Sequence, residues 1–532
     1  MGTFRQLILG AASSLAILSC AQAADLPVKA KAVEYVKICS LYGSGFFFIP
    51  GTDTCIKIGG YLRADVTFNG GAHGAPAWNG DLGQQNRYAD YYTARSRMAL
   101  TIDTRTNTDY GVVRTFGQAN FQFQNVGNNN PSATVATTFP GGINAAYLST
   151  AGGGYVAVEY LFLQFAGFTF GHSASAYASP WQGFPGNITS FLLGGQNTDT
   201  GVNNIQYTAQ FGNGVSGSIG LDDPTVWDRT AVNNLSIPGA IGANGTGSTA
   251  YAGTHAPDIV GNIRVDQAWG LFQLSGAAHE VSGSYNTLGA GAVPTALSEI
   301  SGHPETKWGG AVMAALNIKN LPTGAGDDIK MDASYAKGAT KYVISTAGSS
   351  PSFAMFGGSG FAYESVGFGA TTDGVYMPGA FGTNGIILTT AWGIRGAFNH
   401  NWSPFWSSSL FGSYSSVRYD GGADDNLLGA GTTSAKGAYC AAFAASHPGQ
   451  SGVAGVGSYS CNPDFNISQL GVTTRWTPVK NLTFSAEVQW VHLDQKMSGS
   501  STFAATAPKP TTLYEFKDQD TVLLQVRAQR NF

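Results

Sequence analysis

Four arginines early in the chain, Arg63, Arg95, Arg97 and Arg114, stand in runs where polar and apolar residues alternate. Lys57, Asp65, Asp103, Arg264, Asp266, Arg395, Glu487 and Arg527 share that placement. Charges spaced this way do not bring a nucleophile to its base. They line one wetted face and act on passing solutes through field and hydrogen bonding. Enzyme signatures are thin: there is no P-loop and no HExxH, and Gly171-His172-Ser173-Ala174-Ser175 only approaches GxSxG. His172 and His279 read as polar residues reaching an interior, and Asp424-Asp425 as a solvated acidic turn. The expectation is a chain that is not an enzyme, with no cofactor and no metal site.

The elements that must position these charges are strands. From Ile56 to Phe68 the residues Ile56, Ile58, Leu62, Val66 and Phe68 share one face, opposite Lys57, Tyr61, Arg63, Asp65 and Thr67. A strand sends successive side chains to opposite sides, so the segment has one oily and one wettable face. Ala94–Asp103, Asn204–Phe211, Asp258–Asp266 and Thr483–Val491 repeat the pattern. A one-residue slip would turn Arg95 and Arg97 toward lipid, at roughly 2–4 kcal/mol each near a bilayer midplane.

Sixteen such segments are expected, near 56–68, 93–105, 110–123, 154–165, 168–174, 202–211, 215–222, 258–267, 270–281, 306–318, 328–338, 386–400, 405–418, 465–476, 482–493 and 520–532. Those near 405–418 and 465–476 break parity, which suggests bulges. Short links such as Ala166-Gly167 and Gly212-Asn213-Gly214 alternate with long Gly/Ser/Asn-rich stretches. That is the layout of an all-β transmembrane antiparallel barrel, with short periplasmic turns and long extracellular loops. In hydrocarbon no backbone group can go unpaired, so the strands must close on themselves.

Composition agrees. Glycine numbers 72 in 532 residues, aromatics make 12 % and charged residues only 11 %, against about a quarter charged in soluble domains. The formal net charge of −4 argues against a nucleic-acid partner. Residues 1–23 carry Arg5, the apolar stretch Leu7 to Leu18 and Ala21-Gln22-Ala23, the three-part layout of a cleaved export signal. The expected organisation is 1–23 signal peptide, 24–55 periplasmic N-terminal segment and 56–532 barrel. Four cysteines remain after the signal, and the sequence-local pairing, Cys39 with Cys55 and Cys440 with Cys461, is the expected one of three.

Between Ser173 and Gly201 one stretch holds a single charge, Asp199, and the aromatics Tyr177, Trp181, Phe184 and Phe191. Free in water such a loop would expose too much apolar surface. Folded into the barrel it would bury the rings and narrow the passage; packing on a neighbouring subunit is the alternative.

The start of the mature chain is specific. Ala24-Asp25-Leu26-Pro27 and VEYVKICSLYGSGFFFIPGTDTCIKIGGYLRAD (Val33 to Asp65) resemble the N-terminal signature of the alpha-proteobacterial general porins. TARSRMALTIDTRTNTDYGVVRTFGQANF (Thr93 to Phe121), QFAGFTFG (Gln164 to Gly171) and YTAQFGNGVSGSIGLDDPT (Tyr207 to Thr225) are similar too, and VLLQVRAQRNF, closing on Phe532, resembles the terminal strand read by the outer-membrane assembly machinery. The resemblance implies a homotrimer of 16-stranded barrels in outer-membrane lipid of a Gram-negative bacterium. It also implies passive diffusion of small hydrophilic solutes through pores narrowed by the third long loop. In that family the loop's acids face a basic wall. Here 173–201 carries only Asp199, so near-neutral or mildly anion-favouring conductance is expected. A sugar-specific channel, or an adhesive or structural surface barrel, is the competing reading.

Overall fold

The computed structural model describes residues 37–76, 91–124, 154–225, 229–379, 385–421, 434–449, 458–505 and 509–532. The expected export signal and the pair Asp424-Asp425 lie outside them. The chain divides into two compact units, Met1–Ile56 and Lys57–Phe532. In the described part of the first, Cys39 and Cys55 are disulfide-bonded and buried with Phe46.

In the second unit alternation becomes a closed barrel. Its strands are β1 Thr54–Phe68, β2 Tyr92–Thr108, β3 Gly111–Gln124, β4 Tyr155–Phe165, β5 Phe168–Ser173, β6 Val202–Gly212, β7 Val215–Asp222 and β8 Asp258–Gln267. The circle continues through β9 Gly270–Val281, β10 Lys307–Lys319, β11 Asp328–Lys337, β12 Thr390–Ser403, β13 Trp406–Arg418, β14 Phe465–Val479, β15 Leu482–Gln495 and β16 Gln519–Asn531. Every neighbour is antiparallel, and β16 pairs back onto β1 from Tyr61↔Asn531 to Phe68↔Leu524, which leaves no edge. Each of the sixteen expected segments has its strand, with ends moved by a few residues.

Turns at one end are tight. Ala166-Gly167 (φ 49° and 86°) and Asn213-Gly214 (φ 51° and 72°) place both central residues in the left-handed region, which matches the twist of the strands they join. The outer face carries the oily set: Leu62, Ile102, Val156, Leu161, Ile205, Ile263 and Val488 are exposed there. Trp269, Trp402, Trp406 and Trp476 ring the short-turn end, and Trp308, Trp392 and Trp490 lie toward the other, the two aromatic girdles of a membrane barrel. No helix among the described residues is long and apolar enough to cross a bilayer.

Between β13 and β14 the expected bulges are absent, and the shift that β14 does carry lies at its turn end, between Trp476 and Val479 against β15. The β13–β14 register runs unbroken from Trp406↔Trp476 to Val417↔Phe465. The parity break has another cause. Phe411 points inward and is buried with Leu192 of the long loop 174–201, so one inward position is apolar because the loop covers it.

Several long loops, expected to be surface, fold together. Phe353–Gly357, Glu364–Gly369, Thr511–Phe516, Ser498–Ala504 and Tyr459–Ser460 form a five-stranded sheet. The helix Ala435–Ser446, with Ser434 capping Gly437 N–H, lays Phe443 against Phe368, Tyr459 and Phe516. The Cys440–Cys461 disulfide ties it to the sheet. The apolar residues of this cap belong to one buried cluster with Tyr177 and Leu193 of the internal loop and Val260 and Met313 of the wall.

Candidate permeation site

The barrel interior holds two kinds of charge. On β1, β2 and β16, the Asp65 carboxylate accepts from Arg95 (Nη2, 2.5 Å) and Arg527 (Nε, 2.6 Å). Arg63 donates to Gln529 (2.8 Å) and lies 4.4 Å over the Tyr61 ring. Arg97 donates to Glu159 (2.9 Å), Gln122 (2.8 Å) and the Tyr61 hydroxyl (3.3 Å). Charge-assisted hydrogen bonds of this kind fix guanidinium groups without neutralising all of them: four arginines stand beside two carboxylates, with Arg95 and Arg527 on Asp65 and Arg97 on Glu159.

Arg114 is elsewhere. Along the β2–β3 ladder Arg97 pairs with Gln122, whereas Arg105 pairs with Arg114. Eight residues of strand separate the two levels, on the order of 27 Å. Arg114 shares Asp103 with Arg105 near the short turns (3.0 Å each) and reaches Gln164 at 2.9 Å. The four arginines singled out in the sequence thus form two groups, and Arg527 belongs with the upper one. Lys57 is exposed, six residues before Arg63 on the same strand.

Glu159 is a lumen residue that the sequence reading missed. On β4 the partner register jumps from Gln118↔Tyr160 to Ala119↔Val158, leaving Glu159 as the extra residue of a β-bulge. The bulge lets Glu159 and Tyr160 both face inward while Val158 and Leu161 stay outward and exposed. Strict alternation would put Glu159 in phase with Leu161 and Leu163; that clash was the available signal.

Residues 174–201 run inside the barrel. The loop's backbone is held by inward-pointing side chains of the wall: Gln273 donates to the Ala178 carbonyl (2.9 Å), Asn399 to Pro185 (2.9 Å) and Gln469 to Phe191 (2.6 Å). Arg395, 1 % exposed and paired with Asp332 at 2.9 Å, donates to the carbonyls of Gly195 (3.0 Å) and Gln196 (2.6 Å). The Trp181 indole N–H donates to Asp332 at 2.6 Å. Glu487 accepts from Ile188 N–H (2.5 Å) and the Thr189 hydroxyl (2.7 Å). A Cβ on Gly195 would meet Asp332 Oδ1 at 2.4 Å, so only glycine permits this approach.

Tyr177, Trp181 and Phe191 are buried, and Phe184 is half-buried. Asp199 returns to the arginine side. Burial, reinforced by the Glu159 carboxylate, pushes it up to about 6, while Arg63 and Arg97 pull the other way. The acidic complement of the upper arginines is therefore Asp65, Glu159 and Asp199. His279 does not reach the passage: it is fully buried, bonded to Asp258 (2.6 Å) and the Tyr251 hydroxyl (3.1 Å). His172 is held by the Thr200 carbonyl at 2.9 Å and Asn203 at 3.1 Å.

A closed barrel, an outer apolar belt and an internal loop on charged walls meet a known family at this point. A porin subfamily matches residues 25–525. The chain belongs to that porin family. A porin, Omp2b of Brucella suis, is 30 % identical over 271 residues, covering 50 % of this chain and 63 % of that protein. Omp2b of Brucella melitensis is 29 % identical over the same length. The match thus spans less than two thirds of these curated relatives. The outer membrane channel DcaP of Acinetobacter baumannii has 14 % identity and a TM-score of 0.53, over 91 % of this chain and 99 % of that one, a likeness of fold. As a porin barrel with a lipid-facing apolar belt, the protein resides in the Gram-negative outer membrane, short turns on the periplasmic side.

Proposed function

We propose that the chain is a passive outer-membrane porin through which small hydrophilic solutes and ions diffuse along a water-filled lumen, and that loop 174–201 is its constriction. One observation carries the reading. The loop is pinned to wall residues Asp332, Arg395, Gln469 and Glu487, while Arg63, Tyr160 and Phe116 on the facing strands stay half-exposed. Sixteen strands are too many for side chains to fill the interior, and a fixed internal loop narrows it without closing it. Lys57, Arg63, Asp65, Arg95, Arg97, Asp103 and Arg114 set the field a solute meets; Tyr177, Trp181, Phe184, Phe191 and Asp199 belong to the loop that sets the width. The excess of guanidinium groups over carboxylates favours anions mildly.

The functional unit proposed is a homotrimer, delivered by the assembly machinery through its terminal strand ending at Phe532. Purified full-length chain in liposomes tests the pore directly. Swelling should slow steadily as the sugar added grows in size. Absence of swelling with any sugar would mean a closed structural barrel, and that would sink the proposal.

A further inference from the structure

The wall facing the loop carries rings that a merely wetted lumen does not need. Tyr61, Tyr155, Tyr160, Phe162 and Phe116 stand on β1, β3 and β4, all half-exposed. Phe116 stacks on Phe162 with centroids 5.3 Å apart and lies 6.4 Å from Tyr160. The register sets them at successive heights, Gln122↔Tyr155, Gln118↔Tyr160, Phe116↔Phe162 and Arg114↔Gln164. Phenyl groups on the polar side of a barrel strand run against its alternation, and each exposed ring leaves apolar area in water at about 25 cal/mol per Å². The fold has covered Phe411, another inward phenyl, with the loop. Phe116 and Phe162 stay half-exposed.

Guanidinium groups alternate with the rings. Arg114 lies 5.2 Å over Phe116 and 5.5 Å over Phe162, and Arg63 4.4 Å over Tyr61. On β1–β4 and β16, the described arginines paired with carboxylates or standing over rings outnumber their carboxylates, Asp65, Asp103 and Glu159. Side-chain amides stand among them: Gln118 and Gln164 are half-buried in the same strip, while Gln122 is buried against Arg97.

We infer that this strip is a selectivity track for sugar acids in the pyranose form, such as uronates. The inference deepens the pore reading and rests on it. A pyranose offers a face of C–H groups that stacks on an aromatic ring, hydroxyls that amides can both donate to and accept from, and a carboxylate that a guanidinium grips with two parallel bonds. A small inorganic anion uses only the arginines. An apolar acid leaves the amides unserved. The pyranose acid uses all three elements, and their repetition down the wall hands it from one level to the next.

The test compares glucuronate with gluconate, equal in charge and close in mass, the second lacking the ring. Full-length protein in planar bilayers is bathed in the potassium salt of each, and permeability relative to chloride is read from reversal potentials on the same channels. Glucuronate should exceed gluconate by about threefold or more. In Phe116→Leu/Phe162→Leu, which keeps both positions apolar and removes the flat faces, the ratio should fall toward one. Equal permeabilities in the wild type, or an unchanged ratio in the double variant, overturn the track while chloride current still upholds the pore. Channels that carry no chloride at all bring down the pore reading and the track with it. Should the double variant fail to insert, the wild-type ratio decides alone.

Discussion

Arg63 and Arg395 both stand on barrel strands and both point inward, yet one stays half-exposed and the other is 1 % exposed. Around Arg63, on β1–β4 and β16, charges pair with one another along the wall and leave guanidinium groups beside the lumen. Around Arg395, on β11–β15, they are spent on the loop: Arg395 holds two of its carbonyls and Glu487 caps Ile188 and Thr189. Inward charge thus serves two purposes. One wall keeps guanidinium groups half-exposed, and the other holds the internal loop in place, the division that the proposed function assigns to field and width.

Substitutions should separate the two walls, beginning where the effect is largest. Arg395→Ala leaves Asp332 buried and unpaired and should cost about 3–5 kcal/mol, seen as a lower midpoint of unfolding in detergent. Single-channel conductance should rise as the loop loosens; unaltered conductance would mean that Arg395 does not hold it. Glu487→Gln keeps the shape but gives up charge-assisted bonds to the loop, about 1.5–3 kcal/mol, with noisier open-channel current as its readout.

On the other wall the balance reverses. Arg63→Ala should move the unfolding midpoint by no more than about 1 kcal/mol while shifting the reversal potential toward cations. A large loss of stability with unchanged selectivity would erase the distinction between the walls. The smallest effect expected is a pH dependence. Asp199 titrates at about 6 beside Glu159, Arg63 and Arg97, so below that pH it gains a proton and the lumen loses a negative charge. Anion preference should therefore climb as pH falls through 6. In Asp199→Asn it should stay at the higher value throughout, and a wild-type step of unchanged size in this variant would assign the titration to another group.

Alternation of period two carried nearly all of the barrel, because lipid outside and water inside leave no freedom in which face a residue takes. What escaped it has local physical causes. Glu159 was hidden by a bulge that shifts phase by one residue. Phe411 looked like an irregularity because its cover, Leu192, lies far away in sequence. The cap was unreadable for the same reason. Its core joins Phe368, Phe443, Phe503 and Phe516, which come from three separate loops, and no single loop shows a period of its own. The aromatics of the internal loop were visible as rings without charges, but the wall residues that hold them could be named only as inward-facing, since parity does not say which of them the loop will cover.

The most direct check on the central claim, a basic wall facing an inward loop across an open passage, is the zero-current potential of single channels in a KCl gradient at neutral pH. The expected sign is the one set by chloride. A potential set by potassium, or a membrane that stays silent after insertion of correctly folded barrels, would contradict it.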